Sequence, residues 1–199
     1  IQGLASFTDK NTIKVSSSNG EKNYSAKNFI IATGSSSIAI DAIPVDEKQI
    51  VTSTGALALE SVPKSLLVIG GGYIGLEMGS VWSRLGSKVT VVEALDRIVP
   101  TMDEEIAKEF MKSLKKQGLD FKLSHKVTST KAGKDGVDVT MESADNKAVK
   151  EKYDVVLMSI GRKPNTEGLN LEAIGIKLNE KKSIEINSKF KTSVEGIYA

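Results

Sequence analysis

Three glycines and one glutamate have the types and the spacing of a dinucleotide-binding site. Gly70, Gly72 and Gly75 form the pattern G-x-G-x-x-G, and Glu93 follows Gly70 by 23 residues. In such a pattern the first glycine permits a tight turn, the second lets the backbone approach a pyrophosphate, and the third lets a helix pack closely on a strand. A carboxylate about 20 residues later accepts hydrogen bonds from ribose hydroxyls. These residues therefore predict that the chain binds a dinucleotide.

The charge on Glu93 distinguishes between the two nicotinamide dinucleotides. A carboxylate accepts a hydrogen bond from a 2′-hydroxyl group but repels a 2′-phosphate. Neither Ala94 nor Leu95 is cationic, and Arg97 is the nearest positive charge. We therefore predict NAD rather than NADP, with Arg97 as the one neighbouring residue that could weaken the preference.

A site of this kind needs a strand before the glycines and a helix after them, because the pyrophosphate binds at the helix N-terminus. Residues 66–69 form an apolar run typical of a buried strand, and residues 89–93 predict a second strand. The spacing predicts a helix over residues 73–85, with Gly86 just past its end. The expected core-facing stripe of this helix is Ile74, Met78, Val81, Trp82 and Leu85. A structural turn is the alternative for the glycines, but this context favours a nucleotide site.

The rest of the chain predicts an α/β fold. Residues 103–105 are all acidic, and we interpret them as caps of a second helix rather than as a metal or catalytic cluster. Further strands are predicted at residues 119–123 and 155–158 and in an antiparallel β-meander, at 126–130, 136–142 and 148–153. We expect a Rossmann-like three-layer domain that carries this meander, with flanking strands from an incomplete second domain.

Composition excludes several kinds of site. The 199 residues include no Cys and a single His, so no disulfide, thiolate nucleophile, Cys-based metal site or His cluster can be present. His125 is interpreted as a loop or strand-end residue, and the lysine clusters as solvated surface. A net charge of +2 predicts neither a nucleic-acid nor a membrane partner.

Two loops outside the glycine-rich region have open interpretations. Residues 1–31 read as short strands with a hairpin at Asn19-Gly20, and Thr33-Gly34-Ser35 follows the last of them. These three small residues suit close approach by a ligand, but a plain strand-ending turn explains them equally well. Arg162, in the loop after the strand at 155–158, is expected to face either a phosphate or solvent.

Both termini are strand-like, so we expect the chain to be part of a larger protein.

Several of these segments also occur, in the same order, in one known family. They are Ala32-Thr33-Gly34-Ser35, residues 70–77, Glu93, residues 161–165 (GRKPN) and residues 196–199 (GIYA). In these segments the chain resembles the FAD-dependent pyridine nucleotide–disulfide oxidoreductases, and residues 70–127 most resemble the branch that oxidises dihydrolipoamide. The resemblance implies a flavoprotein in which electrons pass from dihydrolipoamide to a redox disulfide, then to FAD, and then as hydride to NAD⁺.

The resemblance also implies cofactor contacts, partners and domains. NAD would be bound by Gly70, Gly71, Gly72, Tyr73, Ile74, Gly75, Leu76, Glu77, Glu93, Val127 and Gly161, and FAD by Thr33, Gly34 and Ser35. Val127 is the weakest of these, because a strand valine usually belongs to the core. Residues 1–51 and 172–199 would belong to the FAD domain and its connections, and residues 52–171 to the NAD domain. The full protein would be a homodimer that acts on dihydrolipoamide carried by an E2 or H-protein lipoyl domain. It would lie in the bacterial cytoplasm or the mitochondrial matrix.

Three features of the family are absent from these residues: the first FAD glycine motif, the CxxxxC redox pair and the C-terminal His–Glu pair. No catalytic residue is therefore predicted. We expect the isolated chain to bind NAD(H) weakly or not at all and to catalyse nothing. The alternatives are part of another flavin disulfide reductase or NADH oxidase, or a stand-alone, non-catalytic NAD-binding module.

Overall fold

A computed structural model describes residues 1–199. In chain order the helices are α1 (Ser53–Leu57), α2 (Tyr73–Leu85) and α3 (Glu104–Lys116), with a 3-10 turn at Glu172–Ile174. The strands are β1 (Leu4–Asp9), β2 (Thr12–Ser17), β3 (Gly20–Ser25), β4 (Phe29–Ile30), β5 (Ser35–Ser37), β6 (Ile50–Val51), β7 (Ser65–Ile69), β8 (Lys88–Val92), β9 (Asp120–Lys122), β10 (His125–Gly133), β11 (Gly136–Ser143), β12 (Ala148–Tyr153), β13 (Val155–Met158), β14 (Arg162–Pro164) and β15 (Ile197–Tyr198).

The chain forms two compact units, and their boundaries differ from the expected domain boundaries. The first unit contains residues 1–36 and 162–199, and the second contains residues 37–161. Ile43 and Ile50, before the expected start at residue 52, are buried in a core of the second unit. Leu171, before the expected end, is buried in the core of the first unit. The assignment of the units to FAD and NAD stays a prediction.

The second unit has the predicted three-layer arrangement around a parallel sheet with the strand order β6-β13-β7-β8-β9. Leu66 and Val68 pack on one face with buried residues of α2 and α3. Leu67 and Ile69 pack on the other face with the β10-β11-β12 meander. Alternate residues of a strand point to opposite faces, and β7 is therefore apolar along nearly its whole length.

The core-facing side of α2 matches the expected stripe only in part, since Trp82 is buried and Met78 packs on the core. Val81 and Leu85 are 42% and 55% exposed, and the fully buried positions are Gly75, Leu76, Gly79 and Trp82. A Cβ atom on Gly79 would already contact Val89 and Val68 at 3.4 and 3.5 Å. The two glycines bring the helix backbone close to the sheet, and the buried face combines them with Leu76 and Trp82.

The smaller predictions for this unit are confirmed. Gly86 ends α2 with a left-handed backbone at φ +113°. Asp103 is the N-cap of α3, since its carboxylate accepts hydrogen bonds from the N–H groups of Glu105 and Ile106 at 2.9 and 3.2 Å. His125 is the first residue of β10.

No helix in the structure is long and apolar enough to cross a membrane.

The first unit consists mainly of short strands. β1, β2 and β3 form an antiparallel sheet, and β2 and β3 are joined by the predicted hairpin, with Ser17 opposite Gly20. β4 pairs in parallel with β15. The core is formed by Phe7, Leu171, Ile176 and Ile197, together with Phe29, whose ring meets that of Phe7 edge to face at 5.2 Å.

Candidate dinucleotide site

The glycine-rich turn lies at the carboxyl end of β7, between β7 and α2. Gly70 has φ +106°, a conformation that side chains rarely permit. A Cβ atom on Gly70 would lie 2.6 Å from the carbonyl oxygen of Ser159. The Gly70 N–H donates to the carbonyl oxygen of Val92, at the end of β8, at 2.8 Å. The turn is thus fixed against the ends of both neighbouring strands.

Gly72 and Gly75 have different surroundings. A Cβ atom on Gly75 would overlap the carbonyl oxygen of Gly70 and would lie 2.5 Å from Ser159 Oγ and 2.9 Å from Val68 Cγ1. A Cβ atom on Gly72 would have no heavy atom within 4 Å. Gly75 is therefore required by the packing of α2 on the sheet, whereas Gly72 leaves space beside the N-terminus of that helix. The first N–H groups of a helix have no partner within it, so this space suits an anionic group.

The structure brings Glu93 directly against the turn. Glu93 Oε2 accepts a hydrogen bond from the N–H of Gly71 at 2.6 Å, and Oε1 accepts one from the N–H of Leu95 at 2.8 Å. Arg97 instead donates from Nη2 to the carbonyl oxygen of Pro100 at 2.7 Å. Its guanidinium is held by its own loop and makes no ion pair with Glu93.

The loop after Glu93 contributes contacts that the sequence did not indicate. The N–H of Val99 donates to the carbonyl oxygen of Gly71 at 2.9 Å, and Val99 has φ +38°. A positive φ is a rare conformation for a β-branched residue. Ile98, which is buried, packs on Gly71. A valine carries no sequence signal for a left-handed backbone, so these contacts are visible only in the fold.

Other residues expected at the NAD site differ in how they could take part. Tyr73 is 72% exposed, and Glu77 lies one helical turn later on the same face, also exposed. Leu76 and Val127 are 1% and 5% exposed, with their side chains in the core. These two could contact a ligand only through their backbones. Gly161 follows β13 with φ +136°, and its carbonyl oxygen accepts a hydrogen bond from Ile38.

In the first unit, the loop around Asn165 holds Thr33-Gly34-Ser35. The carbonyl oxygens of Thr33 and Gly34 accept hydrogen bonds from Asn165 Nδ2 and N at 3.0 and 2.9 Å. Arg162 donates from Nε to Ser35 Oγ at 2.7 Å and from Nη2 to the Ser35 carbonyl oxygen. Arg162 is exposed, as one of the two expectations had it, and its guanidinium also bonds Ser35. A contact of Arg162 with a phosphate stays a prediction.

The same loop leaves one side of Gly34 open. Gly34 has φ +71°, and no heavy atom lies within 4 Å of the position its Cβ would take. The N–H groups of Thr33 and Gly34 have no acceptor among the hydrogen bonds of the protein. Two free donors beside an open position fit the expected contact with FAD.

A large cleft of about 800 Å³ lies away from the glycine turn, at the amino ends of β7 and β8. Inside it, Lys122 Nζ donates to Glu151 Oε1 at 2.7 Å, and the Tyr153 hydroxyl donates to Glu151 Oε2. Burial raises the pKa of Glu151, but these two hydrogen bonds outweigh burial and hold the pKa below its usual value. Burial and the bond to Glu151 raise the pKa of Tyr153. Ligands of such sheets bind at the opposite, carboxyl ends of the strands, so we place the candidate site at the turn.

Comparison with known proteins gives the family. Residues 1–199 match the pyridine nucleotide-disulphide oxidoreductase family. The chain belongs to this family. Among its curated members, a mitochondrial dihydrolipoyl dehydrogenase of Pisum sativum is 50% identical over 201 residues, which cover 100% of the chain and 40% of the relative. A dihydrolipoamide dehydrogenase of Chaetomium thermophilum is 50% identical over 200 residues, covering 99% of the chain and 40% of the relative.

Two solved structures have a fold similar to that of the chain. The Cu(II) complex of the HOCl-induced flavoprotein disulfide reductase RclA from Escherichia coli has a TM-score of 0.87 at 29% identity, covering 100% of the chain and 44% of that structure. LpdA from Mycobacterium tuberculosis has a TM-score of 0.85 at 29% identity, covering 99% and 43%. The chain therefore spans about two fifths of the length of the family members it matches.

Proposed function

We propose that the second unit is the NAD-binding part of a dihydrolipoyl dehydrogenase. The observation that carries this proposal is the placement of Glu93, whose carboxylate lies 2.6 Å from the N–H of Gly71 in the glycine turn. A carboxylate at that position can accept hydrogen bonds from the ribose hydroxyls of NAD and disfavours the 2′-phosphate of NADP. The two relatives at 50% identity, both named for the oxidation of dihydrolipoamide, support the choice of enzyme.

Each part of the site would have a distinct role. The N-terminus of α2 would hold the pyrophosphate beside Gly72, and Tyr73 and Glu77 would face the nicotinamide end from the exposed side of the helix. Thr33, Gly34 and Ser35 would contact FAD, which when bound relays electrons from the redox disulfide to NAD⁺. The 199 residues contain no Cys, so that disulfide would be supplied by other residues of the full protein.

The same proposal extends to the partners and the compartment of the full protein. Its substrate would be dihydrolipoamide on an E2 or H-protein lipoyl domain, and the full protein would form a homodimer. Several relatives, among them those of Pisum sativum and Dictyostelium discoideum, are named as mitochondrial. The mitochondrial matrix is the proposed location if the source is eukaryotic, and the cytoplasm if it is bacterial.

Nuclear magnetic resonance of the ¹⁵N-labelled chain tests the NAD site, because chemical shifts also detect millimolar affinity. We expect NADH to shift the amide signals of residues 70–77, Glu93, Val127 and Gly161, and NADPH to shift them less at the same concentration. Shifts confined to the cleft around Lys122 and Glu151 would contradict the proposed location. A dissociation constant well below 1 mM would favour the stand-alone NAD-binding module.

A second candidate is another flavoprotein disulfide reductase, which the likeness to RclA supports. Dihydrolipoamide-dependent reduction of NAD⁺ by the full-length protein distinguishes the two, since only the dehydrogenase is expected to catalyse it. We expect this activity from the full-length protein and none from the isolated chain. Activity of the isolated chain would contradict the prediction that these residues are not catalytically competent.

A further inference from the structure

Both carboxylate oxygens of Glu93 accept hydrogen bonds from the backbone of the protein itself. Oε2 bonds the N–H of Gly71 at 2.6 Å and Oε1 bonds the N–H of Leu95 at 2.8 Å. Each carboxylate oxygen can accept more than one hydrogen bond. These bonds therefore leave capacity for ribose hydroxyls, and they also give Glu93 a role that does not depend on a nucleotide.

Both backbone polar groups of Gly71 are hydrogen-bonded, and side chains pack closely around it. Its N–H is bound by Glu93, and its carbonyl oxygen accepts the N–H of Val99 at 2.9 Å. A Cβ atom on Gly71 would lie 3.1 Å from Ile98 Cγ2 and 3.3 Å from Glu93 Cβ, so the surrounding side chains are closely packed. The peptide groups on both sides of Gly71 cannot rotate without breaking a hydrogen bond. The next residue, Gly72, begins the helix cap that faces the proposed pyrophosphate position.

We infer that Glu93 is a positioning residue that locks the glycine turn in its binding shape before a dinucleotide arrives. The inference rests on the proposed function only in so far as the turn binds a dinucleotide. This role of Glu93 also changes the expected effect of a substitution intended to exchange the preference for NAD(H) against NADP(H). Replacement of Glu93 by Arg removes the repulsion toward a 2′-phosphate, but it also removes the acceptor for Gly71 and Leu95. The preference should therefore move toward NADP(H) while the affinity for both dinucleotides falls.

Amide hydrogen exchange of the ¹⁵N-labelled chain without nucleotide tests the lock. In Glu93→Arg we expect the amides of Gly71 and Leu95 to exchange at least about tenfold faster than in the wild type, since each loses a hydrogen bond to a charged group. Glu93→Gln retains only one acceptor oxygen, so only one of the two amides should lose its protection. Asp96→Asn removes a neighbouring exposed charge that makes no hydrogen bond to the turn, and it should leave both amides at the wild-type rate. Wild-type exchange at both amides in Glu93→Arg and Glu93→Gln would overturn the inference.

Titration of the same proteins with NADH and NADPH separates this inference from the proposed function. If NADH binds neither the wild-type chain nor the full-length protein, the proposed function fails, while the exchange rates still decide whether Glu93 locks the turn. If the wild type binds NADH, we expect Glu93→Arg to raise the ratio of NADPH to NADH affinity. Its NADPH affinity should stay about tenfold or more below the wild-type affinity for NADH. A Glu93→Arg variant that binds NADPH as tightly as the wild type binds NADH would overturn the inference that Glu93 locks the turn. Should Glu93→Arg fail to fold, Glu93→Gln supplies the same comparison of exchange rates.

Discussion

At the scale of single residues, Gly72 and Gly75 serve different purposes although only two residues separate them. An Ala at position 75 would force its Cβ against the Gly70 carbonyl oxygen and Ser159 Oγ, which the backbone cannot easily relieve. We expect Gly75→Ala to lower the free energy of unfolding by about 2 kcal/mol or more through overpacking, despite the better helix propensity of Ala. Urea unfolding without nucleotide measures this loss.

Gly72→Ala is the matched control, because its Cβ meets no protein atom within 4 Å. Its cost in unfolding free energy should stay below about 1 kcal/mol, the usual difference between Gly and Ala at a helix N-cap. NADH affinity should nevertheless fall, since the added methyl group occupies the space proposed for the pyrophosphate. An Ala at position 72 that binds NADH as the wild type does would contradict the proposed position of the pyrophosphate.

At the scale of elements, the bond from Lys122 to Glu151 connects β9 with β12, and the Tyr153 hydroxyl adds a bond to Glu151 within β12. The pKa of Glu151 is held below its usual value, so its contribution to stability is complete above the unfolded-state pKa of about 4.3 and is lost as the pH falls through the folded-state pKa. We expect Glu151→Gln to cost about 1 kcal/mol at pH 7. The difference from the wild type should shrink below about pH 4. Denaturant unfolding at pH 7 and near pH 3.5 checks both statements.

Glu142→Gln provides the control for that experiment, since Glu142 is an exposed residue of β11 without an ion pair. It should leave the unfolding free energy nearly unchanged at both pH values. A Glu151→Gln variant whose deficit is the same at pH 7 and near pH 3.5 would show that the loss of packing, not of charge, causes it.

The elements also show which features could be predicted from the sequence. Hydrophobic runs and turn residues were enough to locate β7, α2 and the meander, because each of these signals is local. Hydrophobicity predicted Trp82 on the inward face of α2 but not the rest of that face, since the fold places Gly75 and Gly79 inside and leaves Leu85 exposed. Likewise the spacing indicated that Glu93 and the glycines form one site. It did not indicate that Glu93 bonds the turn itself, because that contact depends on the loop that follows it.

At the scale of the whole molecule, the first unit is built from two segments that are distant in sequence, residues 1–36 and 162–199. The hydrogen bonds of Asn165 join them near the points where the chain leaves and re-enters this unit. Its side chain donates to the Thr33 carbonyl oxygen at 3.0 Å and accepts from Ser36 Oγ at 2.7 Å. These side-chain bonds therefore connect residues that are separated by about 130 positions, where the entropy of loop closure opposes pairing.

Replacement of Asn165 by Ala should loosen the first unit and leave the second intact. The two side-chain bonds are lost, while the backbone bond from Asn165 N to the Gly34 carbonyl oxygen, at 2.9 Å, can remain. We expect the amide of Asn165, whose hydrogen bond would open more often, to exchange about tenfold faster, with unchanged exchange in β7, β8 and β13. Asn23→Ala, at an exposed position of β3 without a side-chain hydrogen bond, is the matched control in the same unit. Equal acceleration in β7 and β8 would mean that the two units do not open independently. Unchanged exchange at the Asn165 amide would mean that the Asn165 side chain does not hold the segment expected to contact FAD.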